Sequence, residues 1–109
     1  ANRAVALRRL RVNLAIAIRE AVADQQPTSE LWNSRLRGGK LSISSEHADF
    51  PTLLAEALDR IAFFKWDVST AATALGTSTS QLVKLIKKEP AALTMVNAQR
   101  EERNLKSLK

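Results

Sequence analysis

The chain has 109 residues, of which 45% are hydrophobic, so it can bury the modest core of one domain. The absence of cysteine excludes disulfides and thiolate metal sites, and no apolar run approaches the ~20 residues of a membrane helix. A net charge of +6 favours a polyanionic partner such as a nucleic acid, although many small basic proteins carry such a charge only for solubility.

Residues 3–23 predict a long helix with two apolar stripes on different sides. One stripe contains Leu7, Leu10, Leu14 and Ile18, and the other contains Val5, Val12 and Ile16. Basic residues lie between the stripes, at Arg8, Arg11 and Arg19. Because a surface helix needs only one apolar stripe, we expect this helix to lie between neighbours. The stripe of Val5, Val12 and Ile16 is then the candidate surface for a protein partner.

The following segment, residues 25–49, is irregular and is interpreted as a linker. Pro27 and Ser29 can open a short helix that runs to Leu36 and ends at Gly38-Gly39. "KLSISS" (40–45) alternates as a strand does, but it has no obvious partner strand, so an extended linker is expected and pairing elsewhere stays open. His47 has no second histidine or cysteine to complete a catalytic or metal site, so a linker or capping role is expected.

Helical patterns return from Asp49 onwards. A helix over 50–64 is predicted with Asp49 as its cap and Pro51 in its first turn. Three shorter elements follow it along the chain. They are a helix over 68–75 capped by Asp67, a helix opened by the Ser78-x-x-Gln81 capping box, and a helix from Pro90 to about Arg103. The tail "NLKSLK" (104–109) is expected to fray.

The stretch "STAATALGTSTSQLVKLI" has the spacing of a helix-turn-helix. Ala72 is the small residue at which two helices can cross, and Gly76 can turn the chain with a positive φ. Leu82 and Leu85 are then the apolar residues that pack the second helix against the first. Thr77 departs from the pattern, because an aliphatic residue usually follows the turn glycine.

If this corner contacts a nucleic acid, the second helix presents hydroxyls and lysines. The candidate residues are Thr79, Ser80, Val83, Lys84, Lys87 and Lys88, together with Arg8, Arg11 and Arg19 of the N-terminal helix. Hydroxyls and lysines suit phosphate contacts better than bidentate recognition of bases. The competing interpretation is a solvated face whose lysines complement the dipole of the helix.

Two stretches resemble bacterial release-factor-like proteins. "ANRAVALRRLRVNLAIAIRE", with Asn2, Arg3, Ala6 and Leu7 in the matching pattern, resembles the basic helix that follows the catalytic domain of class I-like peptide chain release factors. The region from Phe50 to about 97 is similar to the C-terminal extension of some of these proteins. The resemblance implies a translation-linked protein in which a glycine-glycine-glutamine loop hydrolyses peptidyl-tRNA. Lysine follows Gly38-Gly39, so that loop is not in this chain, which would be a non-catalytic tail.

These inferences predict an all-α protein with a basic amphipathic helix (1–24), a linker (25–49) and a helix-turn-helix bundle (50–109). The expected function is an accessory module, without catalytic activity or cofactor, that contacts the backbone of ribosomal RNA or tRNA in the cytoplasm. A DNA-binding transcription regulator and a protein-interaction scaffold are the alternatives.

Overall fold

The structure is a computed structural model that describes residues 2–109, so Ala1 of the predicted N-terminal segment lies outside it. Its described part contains six helices and one two-stranded hairpin, which confirms the predicted all-α class. The helices are α1 (Arg3–Ala17), α2 (Glu30–Arg35), α3 (Phe50–Phe63), α4 (Val68–Ala74), α5 (Thr79–Lys87) and α6 (Pro90–Glu102). The hairpin strands are β1 (Leu36–Arg37) and β2 (Lys40–Leu41), which lie between α2 and α3.

Helix α3 forms the centre of the core, and α1, α4 and α5 pack against it. Its buried side chains follow the helical period, as the sequence predicts. They include Phe50, Leu53, Leu54, Ala57, Leu58 and Ile61. Pro51 lies in the first turn as expected, but the carboxylate of Asp49 makes no capping hydrogen bond. It accepts instead from the guanidinium of Arg35 at 3.3 Å, so Asp49 occupies the predicted N-cap position without making the side-chain capping bond.

Helix α1 ends at Ala17, six residues before the predicted end at residue 23. The guanidinium of Arg19 donates to the carbonyls of Ala15 and Ile16, the last turn of the helix. The backbone N–H of Glu20 donates to the carboxylate of Asp59 on α3 at 3.1 Å. These contacts satisfy the helix end and anchor the following chain to α3, so tertiary structure overrides the helical propensity of the sequence.

The two apolar stripes of α1 have the opposite roles from those predicted. Val12 is 3% exposed and Ile16 is half-buried, so most of the stripe assigned to a partner packs on the chain's own core. Only Val5, 40% exposed, lies largely outside. The residues that remain exposed are Leu7, Leu10, Leu14 and Ile18. The prediction of a free Val5, Val12 and Ile16 stripe is therefore wrong.

The segment predicted as a linker contains ordered structure. Helix α2 confirms the short helix, with Ser29 Oγ accepting the N–H of Trp32 at 3.0 Å. The helix ends one residue early, because Leu36 pairs with Leu41 in the hairpin. The expectation that 40–45 is unpaired is thus wrong for Lys40 and Leu41. Gly38-Gly39 supply the two positive φ angles, 57° and 82°, that a tight hairpin turn requires.

In the loop before α3, the imidazole ring of His47 accepts a hydrogen bond from the backbone. Its Nδ1 accepts the N–H of Asp49 at 3.0 Å, and its Nε2 lies 3.1 Å from a guanidinium nitrogen of Arg35. A ring nitrogen that closes a two-residue turn shapes the chain locally. The side chain therefore contributes to the entry into α3, in keeping with the expected capping role.

Helices α4 and α5 form the predicted helix-turn-helix corner. Asp67 caps α4 by accepting the N–H of Thr70 at 3.4 Å, and Gly76 turns the chain with φ +75°. The hydroxyl of Thr77 donates to the carbonyl of Gly39 in the hairpin, which accounts for threonine where an aliphatic residue is usual. The indole N–H of Trp32, fully buried, donates to the carbonyl of Leu75 at 2.8 Å. Helix α2 and the hairpin thus buttress the corner.

Candidate nucleic-acid interface

Helix α5 presents its polar face on the surface of the protein. Its apolar face is buried through Leu82, Leu85 and Ile86, as predicted, and this fixes which side chains point outward. Thr79, Ser80, Lys84, Lys87 and the half-buried Val83 line an open groove of about 640 Å³ together with Ser78 and Lys109. Five of the six predicted residues of this helix region therefore share one surface.

The N-terminal end of α5 lies at the groove and is capped by Ser78. Ser78 Oγ accepts the N–H of Gln81 at 3.2 Å and lies 3.2 Å from Ser80 Oγ. The capping hydrogen bond leaves the hydroxyls of Thr79 and Ser80 exposed beside the positive end of the helix dipole. This end of the groove can donate hydrogen bonds to an anion or to a base edge.

The other end of the groove is cationic. Lys84 and Lys87 are exposed, and neither enters an ion pair within residues 2–109. Their ammonium groups remain hydrated and available to a polyanion, with no carboxylate that must first be displaced. Hydroxyl donors at one end and ammonium groups along the helix suit successive phosphates of a nucleic-acid backbone.

Lys109 is a groove residue that the sequence did not predict. The tail folds back along α6 instead of fraying, because the side-chain amide of Asn97 binds the backbone of Leu108 on both sides. Asn97 Oδ1 accepts the N–H of Leu108 at 2.7 Å, and its Nδ2 donates to the carbonyl at 3.2 Å. Arg100 Nε also donates to the carbonyl of Lys106 at 2.7 Å. The half-buried Leu108 was the signal in the sequence, since an apolar residue in a polar tail can pack against the domain.

Lys88 lies apart from the groove, although the sequence placed it beside Lys87. Its ammonium group donates to the carbonyl of Ile43, and the side chain is half-buried. It lines a smaller cleft of about 170 Å³ between α1 and the end of α5, together with Arg8 and Arg9. The lysine thus holds the loop before α3 onto α5.

The predicted arginines of the N-terminal helix also lie apart from the α5 groove, and two of them make contacts within the protein. Arg8 donates to the carbonyl of Glu46 at 3.1 Å. Arg19 faces Asp59 at 3.5 Å, and its partial burial lowers the pKa of its guanidinium while burial raises the pKa of the Asp59 carboxyl. Burial thus outweighs the attraction between these two groups. Arg11 is exposed and lines a groove between α1 and α3.

A second ion pair joins α1 to the start of α6. The guanidinium of Arg9 donates to both oxygens of the Glu89 carboxylate, at 2.8 and 3.0 Å. This bidentate hydrogen bond lowers the pKa of Glu89, whose side chain is largely buried. The pair orients α1 against the bundle that carries the groove.

No helix in residues 2–109 combines the length and the apolar character that a membrane-spanning segment requires. No protein-family model matches the chain, and neither a curated protein nor a solved structure shows significant similarity to it.

Proposed function

We propose that the chain is a non-catalytic nucleic-acid-binding module that grips a phosphate backbone in the α5 groove. The observation that carries this proposal is the convergence of Lys84, Lys87 and Lys109 with the exposed hydroxyls of Thr79 and Ser80 on one surface. Each phosphate that a lysine neutralises releases condensed counterions, so such a groove gains affinity without recognising a base sequence.

Ribosomal RNA or tRNA is the partner that we favour. The groove has lysines and hydroxyls, and it lacks the arginine, asparagine or glutamine pairs that recognise base edges in the major groove. The resemblance to release-factor-like proteins supports the same partner, since a tail of such a protein would work on the ribosome. The module would then hold the parent protein on RNA and leave the chemistry to another domain.

The test measures binding of the chain to a short RNA hairpin by fluorescence anisotropy over a range of salt concentrations. We expect Lys84→Glu/Lys87→Glu to weaken binding at low salt by at least about tenfold, because two attractions become repulsions. The matched control is Lys65→Glu/Lys106→Glu, which changes the net charge equally at exposed lysines outside the groove. Equal losses in both variants, or no binding by the unchanged chain at low salt, would contradict the proposal.

A DNA-binding regulator is the second candidate, because Thr79 and Ser80 occupy the N-terminal turn with which a recognition helix contacts bases. It predicts a strong preference among duplex DNA sequences that Thr79→Val or Ser80→Ala removes. The RNA proposal predicts weak sequence preference and co-sedimentation with ribosomes, which the lysine double variant reduces. Selective binding to one DNA duplex sequence would favour the DNA-binding regulator over the RNA-binding module.

A further inference from the structure

The α5 groove lies between the outward face of α5 and the C-terminal tail, residues 104–109. Thr79, Lys84 and Lys87 line it from the helix, and Lys109 lines it from the tail. The face that a recognition helix presents to a duplex is therefore flanked by a second segment of the chain. This arrangement makes the binding surface concave, whereas insertion into a duplex needs a helix that projects.

The tail is a fixed wall of the groove. The side-chain amide of Asn97 holds the backbone of Leu108 through two hydrogen bonds, and Arg100 Nε donates to the carbonyl of Lys106. The side chain of Leu108 is half-buried and packs against the core. A ligand that moved the tail aside would have to break these hydrogen bonds and expose Leu108 to water.

The dimensions of duplexes do not suit this surface. A helix with its side chains is about 10–12 Å across and the major groove of B-form DNA is about 12 Å wide, so a helix alone fills that groove. Helix α5 flanked by the tail is wider. The major groove of A-form RNA is deep and narrow, and side chains do not reach its bases.

The chemistry of the groove suits a strand whose bases are unpaired. Val83 is half-buried and lies along α5 between the hydroxyl of Ser80 and the ammonium group of Lys87, so the groove combines an apolar floor with polar and cationic walls. A single strand offers apolar base faces together with its phosphates, whereas a duplex stacks its bases inside. The groove volume of about 640 Å³ is in the range of pockets that hold small ligands, which leaves room for a nucleotide.

We propose that the α5 groove receives an unpaired segment of RNA and that the clamped tail excludes duplexes from it. A base lies over Val83, and the lysines of the groove bind the phosphates on either side. The inference rests on the proposed function and names the substrate class of that same site. Loops and ends of ribosomal RNA and tRNA present such segments, and a short RNA hairpin is then bound through its loop.

Charge alone predicts the opposite preference. A duplex carries more negative charge per unit length than a single strand, so a cationic surface without shape selection binds the duplex at least as tightly. A preference for the single strand therefore reports the shape of the groove.

The experiment measures binding of the full chain by fluorescence anisotropy at low salt. The probes are an RNA of about 12 nucleotides that cannot pair with itself, its blunt RNA duplex, and the DNA duplex of the same sequence. We expect the single strand to bind at least about tenfold more tightly than either duplex. Lys84→Glu/Lys87→Glu should weaken binding of the single strand by at least about tenfold.

Two variants separate the shape of the groove from its charge. Asn97→Ala frees the tail and keeps every charge, whereas Lys109→Ala removes a charge and keeps the clamp. Both should modestly weaken binding of the single strand, because both lose the contact of Lys109. Only Asn97→Ala should admit duplexes, so it should reduce the ratio of single-strand to duplex affinity by at least about threefold.

Leu108→Ser frees the tail in a second way, by removing its apolar anchor, and should lower the same ratio. Circular dichroism should show that the variants stay folded. Failure of the single strand to bind at low salt, or binding that Lys84→Glu/Lys87→Glu leaves unchanged, would overturn the proposed function and this inference with it.

Other results would overturn this inference alone. If a duplex binds as tightly as the single strand and the lysine double variant weakens both, the proposed function stands and the preference for unpaired RNA does not. If the unchanged chain prefers the single strand and both Asn97→Ala and Leu108→Ser keep that preference, the tail does not exclude duplexes.

Discussion

Helices α1 and α5 are both basic and amphipathic, but they distribute their side chains in opposite ways. On α5, the aliphatic residues are buried and Lys84 and Lys87 are free in an open groove. On α1, several arginines contact other parts of the chain, and Leu10 is among the residues left exposed. The comparison teaches that basic charge alone does not identify a binding face. What distinguishes the two helices is which cations already have a partner.

The largest effect is expected from substitutions that test which side of α1 packs against the core. Val12→Asp should lower the free energy of unfolding by about 3 kcal/mol or more, because it puts a carboxylate where an apolar side chain is buried in the core. Leu10→Asp, the matched change on the exposed side, should alter it by no more than about 0.5 kcal/mol. Urea denaturation followed by circular dichroism measures both. Equal destabilisation by the two variants would mean that α1 packs through both faces.

The next largest loss of stability is expected from a substitution in the turn between α4 and α5. Gly76→Ala should cost about 1–2 kcal/mol, because φ is +75° and the added Cβ would lie 3.1 Å from Leu36 Cδ2. Gly38→Ala is the control, since it also has a positive φ but meets no atom within 4 Å. Its cost should therefore be smaller. Thermal unfolding of the two variants measures the difference, and a larger loss from Gly38→Ala would contradict the prediction that the contact with Leu36 adds to the cost at Gly76.

The ion pair between α1 and α6 should produce a dependence of stability on pH. The pKa of Glu89 is depressed in the folded chain by Arg9, so its contribution is present above the unfolded pKa and is lost as pH falls through the folded value. Glu89→Gln should therefore cost roughly 1 kcal/mol near about pH 7 and nearly nothing at an acidic pH low enough to protonate Glu89 in the folded chain. Urea titrations of the unchanged chain and the variant at the two pH values measure this difference in unfolding free energy. The other carboxyl groups are the same in both proteins, so their contributions cancel. If the variant is still less stable than the unchanged chain at the acidic pH, the ion pair is not the cause of the difference.

The sequence predicts α5 well because each of its signals is local. Ser78 and Gly76 mark the ends of the turn, and a single apolar stripe fixes the buried face. The exposed stripe of α1 could not be predicted in the same way, since two apolar stripes are equally periodic and only contact with α3 decides between them. The contact of Thr77 with Gly39 and the clamp of Asn97 on Leu108 join residues distant in sequence, and periodicity carries no signal for such pairs.

The smallest expected effect concerns Lys109, and it sharpens the contrast between free and engaged cations within one short tail. If Lys109 contributes a phosphate contact, Lys109→Ala should reduce the slope of log affinity against log salt by about one unit, with a modest loss of affinity. Lys106→Ala is a control of equal charge three residues away, outside the groove, and should leave the slope unchanged. The RNA hairpin titration measures both slopes.

A third variant asks whether the Asn97 clamp is what brings Lys109 to the groove. Asn97→Ala removes both hydrogen bonds to Leu108, so it should reproduce the slope of Lys109→Ala while Lys109 itself is still present. If RNA binds and all three variants keep the original slope, the groove consists of α5 alone. If Lys109→Ala lowers the slope and Asn97→Ala does not, the tail reaches the groove without the clamp. The expected result, equal slopes for these two variants, makes the tail a positioned part of the binding surface.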